Sequence, residues 1–199
     1  MSFSNEDVVR LRKQTGAGIM DCKRALQEAG GDFEKAVDIL RKKGIEVASK
    51  REAKTATEGA VISYIHGGDQ IGVLVEINCE TDFAARSDDF REFGRNIAMQ
   101  IAAMQPKWIS QEDVPEEALN REREVLTEQA KAEGKPDNIV GKMVEGRLKK
   151  FYSQSCLRDQ PYIRDDSITI DDLLNELTGK LGERVVVRRF ARYQVGEEL

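Results

Sequence analysis

From Gly59 to Ile77 the apolar side chains fall on every second position. Val61, Ser63 and Ile65 lead into His66-Gly67-Gly68-Asp69, and Ile71, Val73, Val75 and Ile77 lead out again. Such alternation turns one face of a strand toward a core, and a glycine-rich turn between two alternating runs predicts a hairpin. Two strands alone do not persist in water, so the rest of the chain must supply cover for this pair. Val185 to Tyr193 supplies a third strand that pairs with the hairpin.

Helical spacing accounts for most of the remainder. Ser4 with Asp7 makes a capping-box start, Val8 and Leu11 face inward, and Thr15-Gly16 stops the first helix. Ile19, Cys22, Ala25, Leu26 and Ala29 mark a second, ended by Gly30-Gly31. Asp32 caps a third, with Phe33, Ala36, Val37 and Leu40 apolar and Gly44 closing it. Residues 46–58 hold Lys50, Arg51, Lys54 and alanines but few large apolar groups, which predicts a solvated helical linker.

After the hairpin, Phe90, Phe93, Ile97, Ile101 and Met104 return to helical spacing until Pro106. Pro115 suits the first turn of the next helix, which carries Leu119, Val125 and Leu126 to Gly134. Asp137 caps another, with Ile139, Val140, Met143, Val144, Leu148 and Phe151 inward. Thr169 caps a last one bearing Ile170, Leu173, Leu174, Leu177 and Leu181, ended by Gly182. The expectation is an α+β fold: a three-helix module over 1–45, a linker over 46–58, and a core over 59–199 with a small three-stranded antiparallel sheet packed with helices.

Composition narrows the function by exclusion. The 31 basic and 36 acidic residues leave a net charge of -5, which argues against general nucleic-acid binding. No apolar run approaches the roughly 20 residues of a membrane helix, and Met1-Ser-Phe-Ser lacks the basic-then-apolar start of a signal peptide. Cys22, Cys79 and Cys156 are odd in number and widely spaced, and read as reduced thiols of a cytoplasmic protein. A disulfide between two chains stays open. His66 is the sole histidine and no Cys-x-x-Cys occurs, so no metal site is expected. Thr15-Gly-Ala-Gly18 lacks the third glycine and the Lys-Ser/Thr of known phosphate cradles, and no nucleophile elbow appears. No cofactor and no enzymatic activity are expected.

One segment is out of character. Between the second strand and the following helix, Glu80-Thr81-Asp82-Phe83-Ala84 places a phenyl ring in a turn that is normally polar. Two readings fit. Thr81 or Asp82 caps a helix and Phe83 folds back onto the core as a staple, or Phe83 is an exposed wedge carrying one apolar ring and one carboxylate to a partner.

This segment resembles the Thr-Asp-Phe-Val motif of the elongation factor Ts family. Leu11-Arg-Lys-Gln-Thr-Gly-Ala-Gly-Ile-Met-Asp-Cys-Lys-Arg-Ala-Leu26 is similar to that family's N-terminal module, which is of the ubiquitin-associated three-helix kind. Lys142-Met-Val-Glu-Gly-Arg-Leu-Lys-Lys-Phe151 resembles a helix of its core, and Ser63-Tyr-Ile-His-Gly-Gly68 extends the match to residues 5–196. The resemblance implies a nucleotide-exchange factor of elongation factor Tu. By it, Thr81, Asp82, Phe83 and Ala84 enter the GTPase and dislodge its Mg²⁺, with Ala84 standing where the family usually has valine. Ile19 and Met20 would dock the module on the GTPase domain, although Ile19 reads equally well as module core. His66 would make a contact near the phosphate loop. Longer members carry the Thr-Asp-Phe and His-Gly motifs in two related sub-modules and some have a coiled-coil insertion; here both motifs share one unit. A homodimer would restore the doubled arrangement. Two other readings stay open: an adaptor using its three-helix module, and RNA binding by Arg184-Val-Val-Val-Arg-Arg-Phe-Ala-Arg-Tyr193.

Overall fold

The computed structural model describes residues 3–134 and 136–198, with the side chain of Asp137 also left out. The fold is α+β. Helices α1 (Asn5–Thr15), α2 (Ile19–Glu28) and α3 (Phe33–Arg51) come first, followed by the hairpin β1 (Glu58–Ile65) and β2 (Ile71–Cys79). A short helix α4 (Asp82–Arg86) leads into α5 (Asp88–Met104), and then α6 (Glu116–Ala132) and α7 (Asp137–Ser155). The chain ends with β3 (Pro161–Tyr162), β4 (Asp165–Thr169), α8 (Ile170–Leu181) and β5 (Val186–Gln194). The antiparallel three-stranded sheet runs β1-β2-β5, which leaves β1 and β5 at its edges. The small pair β3–β4 was not legible beforehand: it is short, begins at a proline and is rich in aspartate.

The described residues form two compact units. One comprises Met1–Ile62, Val75–Asn96 and Asp172–Arg188. In it, Ser4 accepts the N–H of Asp7 while Asp7 accepts the N–H of Ser4, the reciprocal cap that the sequence specifies. Gly16 at φ 66° ends α1, and Asp32 caps α3 by accepting the Lys35 N–H at 3.1 Å. Val8, Leu11, Cys22, Ala25, Leu26 and Ala36 are the buried core of these three helices. Within the same unit, α5 lies close on β1: a Cβ at Gly94 would fall 1.8 Å from Cδ1 of Ile62.

Gly44 does not close α3 as its residue type suggests. The helix continues to Arg51, and Gly44 is buried within it. The reason is a helix crossing. A Cβ at Gly179 in α8 would lie 2.9 Å from Gly44 Cα, and one at Gly44 would lie 3.3 Å from the Asn175 carbonyl oxygen. Glycine is needed here for closeness, not for a turn. Arg41 pairs with Asp172 at 2.6 Å beside this crossing. Of residues 46–58, those through Arg51 are therefore helix and Glu58 already belongs to β1.

The second unit comprises Ser63–Leu74, Ile97–Asp171 and Arg189–Leu199. Helices α6 and α7 share their own core of Leu126, Ala130, Val140, Val144 and Leu148, with Leu119, Met143 and Tyr152 packed on it. Ile139, expected inward, is exposed, as is Val125 of α6. The side chain of Asp137, expected to cap α7, lies outside the described residues. A buried polar pair pins this unit: the Gln100 amide donates to Gln160 Oε1 at 3.1 Å and to the Pro161 carbonyl at 3.0 Å, and its oxygen accepts the Ile163 N–H. Fully paired buried amides fix one arrangement of their neighbours. No helix among the described residues is long and apolar enough to cross a membrane.

Candidate functional site

The turn after β2 is held by side chains rather than by a backbone ladder. Thr81, in extended conformation, caps α4 by accepting the Ala84 N–H at 3.3 Å. Its own N–H and hydroxyl both donate to the carboxylate of Glu183, at 3.0 and 2.7 Å. Glu80 accepts the Arg184 N–H at 2.7 Å and a forked pair of bonds from Arg51 at 3.0 and 3.2 Å. Ser87 closes the short helix, donating to the Ala84 carbonyl at 2.7 Å and accepting the Phe90 N–H that opens α5.

This anchoring decides where Phe83 points. Helix α4 has five residues, and its buried face is taken by Ala84 and Ala85. Phe83 falls on the opposite side and is 80% exposed. The staple is therefore not what the ring does. Asp82 stands beside it and pairs with Arg86 at 3.0 Å, an exposed i,i+4 contact of little energetic weight. An exposed phenyl on an anchored turn is the kind of group that dominates protein–protein interfaces.

Ile19 and Met20 open α2 and are 49% and 61% exposed, while Cys22, Ala25 and Leu26 of the same helix face inward. Ile19 thus lies outside the module core. Next to them, Asp21 bonds to Lys43 of α3 and to Arg24, and the Lys43 ammonium foremost holds its carboxyl below the ordinary range. The patch thus joins apolar side chains to a fixed ion cluster. The Lys180 side chain lies over Gly16 in the turn before α2, and its ammonium pairs with Asp89 at 2.5 Å near the start of α5. The turn, the patch and Phe83 belong to the same unit.

His66 belongs to the other unit, at the exposed tip of the β1–β2 hairpin. Its N–H bonds to the Ile71 carbonyl at 2.9 Å, and its ring nitrogen Nδ1 lies 2.9 Å from the Tyr64 hydroxyl. Among the described residues no three His, Cys, Asp or Glu side chains gather as a metal-binding group.

Residues 11–197 match the family described as Elongation factor TS. The chain is 58% identical over 191 residues to Elongation factor Ts of Moorella thermoacetica, covering 96% of this chain and 94% of the relative. It is 59% identical over 195 residues to Elongation factor Ts of Caldanaerobacter subterraneus subsp. tengcongensis, covering 98% of each. The chain belongs to the elongation factor Ts family.

As a member of the elongation factor Ts family it is a translation elongation factor. The Thr81–Ala84 segment was legible in the sequence as an anomaly. Glu183 and Glu80, which fix it, were not. An acidic residue at a helix–strand junction carries no local mark of a partner 102 positions away.

Proposed function

We propose that this chain binds GDP-bound elongation factor Tu in the cytoplasm and promotes release of the nucleotide, so that GTP can reload. The observation that carries the reading is the exposure of Phe83 on a turn whose backbone is tied down on both sides. A GTPase holds its nucleotide by a backbone cradle and by Mg²⁺ bridging the phosphates. A factor that stabilises a conformation with that metal site disturbed weakens nucleotide binding, and nucleotide weakens its own binding by the same factor. Phe83 supplies the apolar anchor with the Asp82 carboxylate beside it, Thr81 and the buried Ala84 hold the turn from which they project, and no bond is made or broken. Ile19 and Met20 dock the three-helix module, and His66 contacts the surroundings of the phosphate cradle. Release of fluorescent GDP from elongation factor Tu should accelerate with added protein in proportion to concentration. An unchanged release rate at saturating protein would refute the reading.

The active form in this proposal is a homodimer. Strand β1 is a sheet edge whose Val61 and Ile65 are 65% and 60% exposed, and such an edge calls for cover. A second copy supplies it about a two-fold axis, the commonest symmetry among oligomers. Light scattering at micromolar concentration should give twice the chain mass; a value near 22.4 kDa with full exchange activity would exclude the dimer.

The dimer needs no disulfide. Cys22, Cys79 and Cys156 are free and buried, and burial pushes the Cys156 thiol up to about 12. Thiolate is the reactive form, and burial disfavours it at all three cysteines. Native protein should resist iodoacetamide and run as a single chain on a non-reducing gel. Rapid alkylation of the folded protein would contradict the burial.

A further inference from the structure

Beyond Cys79 and before Val186, strands β2 and β5 are joined by two carboxylates in a reciprocal clasp. Glu183, on the β5 side, takes the Thr81 N–H and hydroxyl at 3.0 and 2.7 Å. Glu80, on the β2 side, takes the Arg184 N–H at 2.7 Å. The Thr81 and Arg184 N–H groups, just past the ends of the two strands, are each met by a charged side chain from the other side. Bonds from N–H or O–H to a carboxylate are stronger than neutral ones and hold a narrower geometry.

The two halves of the clasp do different work. Glu80 is also forked by Arg51 of α3, and the Arg184 guanidinium reaches the Lys54 carbonyl, so that half is braced from several directions. Thr81 is held across the sheet by Glu183 alone among the hydrogen bonds described for its N–H and hydroxyl. The same Thr81 oxygen that donates to Glu183 accepts the Ala84 N–H and so starts α4. The Thr81 torsions set the direction in which α4 leaves the sheet. A five-residue helix is too short to keep that direction by itself. Phe83 is the second residue of this helix, and its ring touches no core that would steer it.

We propose that Glu183 is a positioning residue for the exchange wedge: through Thr81 it fixes the exit angle of α4 and thereby the direction in which Phe83 projects. The inference rests on the exchange reading of Phe83. Loss of Glu183 leaves the ring present but spread over directions, so that a complex already docked through the module must order it before it can disturb the metal site. Docking through Ile19 and Met20 is untouched by that loss. The defect therefore falls on the maximal rate of nucleotide release and not on the protein concentration that gives half of it.

The experiment measures GDP release from elongation factor Tu over a range of full-length protein for wild type, Glu183→Ala, Glu183→Gln, Phe83→Ala and Phe83→Ala/Glu183→Ala, with thermal melts of each. Glu183→Ala should lower the maximal rate about tenfold, as expected for losing hydrogen bonds to a charged acceptor. Its half-saturating concentration should move less than about twofold, and its melting midpoint should fall by several degrees, about 3–8 °C, without loss of the cooperative transition. Glu183→Gln keeps an oxygen acceptor for the Thr81 N–H and should recover most of the rate. In the Phe83→Ala background, the Glu183→Ala change should cost less than about twofold, because residues acting through one another are not additive. A wild-type rate for Glu183→Ala overturns the proposal. So does a tenfold loss that persists without Phe83, or a loss matched by a collapsed midpoint in both Glu183 variants. A Phe83→Ala protein with full activity removes the wedge role of Phe83 on which the inference rests, and a wild-type protein that leaves release unchanged removes the exchange reading itself.

Discussion

Phe83→Ala is expected to lose most nucleotide release while its thermal unfolding stays where the wild type's is. The ring is 80% exposed, and the buried face of α4 belongs to Ala84 and Ala85, so truncation opens no cavity. Thr81 still caps the helix, and Asp82 still pairs with Arg86. What is lost is an apolar anchor at an interface, where central aromatic residues contribute about 2 kcal/mol or more. That corresponds to roughly a thirtyfold weaker complex. Calorimetry and GDP release on the same preparation decide the matter. A midpoint lowered by many degrees with unimpaired release would make Phe83 a structural residue.

Gly179→Ala is expected to destabilise the protein by about 2 kcal/mol, against the helix propensity that favours alanine by about 0.5–1 kcal/mol. The added methyl would meet Gly44 Cα at 2.9 Å, and a backbone atom in a packed helix cannot swing aside as a side chain can. Gly146→Ala in α7 is the natural comparison, since nothing lies within 4 Å of a Cβ there. That change should raise stability by about 0.5–1 kcal/mol. Opposite signs in denaturant unfolding are the expected result. A stabilised Gly179→Ala would mean that α3 and α8 separate readily, and that their close crossing contributes little.

The sequence was most legible where structure is set by neighbours along the chain. The Ser4/Asp7 box, the Asp32 cap and the alternating hairpin each depend on residues within a few positions, and each is found as read. Gly44 was misread because a glycine that ends a helix and one that lets two helices touch look alike in one dimension. The Thr81–Ala84 segment announced itself by its phenylalanine, yet its sequence allowed the ring to point either way. The outcome was set by Ala84 and Ala85 filling the inner face, and by Glu183 arriving from the far end of the chain. For Ile19, the first-turn position on α2 left core and surface readings level. Its exposure follows from Cys22, Ala25 and Leu26 carrying the inward stripe.

The unbroken course of α3 past Gly44 bears on how two contacts on one partner add up. With Arg41 on Asp172, Gly44 against Gly179 and Lys180 over Gly16, α3 and the turn before α2 seat the three-helix module, whose α2 carries Ile19 and Met20, on the helix that leads to Glu183. On the proposed reading, the docking patch and the wedge are then joined by packed structure and not by a slack tether. Once the patch has landed, the local concentration of the wedge at its target is set by geometry, with no chain statistics to dilute it. A cut after residue 45 would sever α3 in mid-helix and expose the groove at Gly179, removing more than a binding surface. Substitutions at Met20 leave that seating in place, and so separate loss of the patch from loss of the alignment it shares with Phe83.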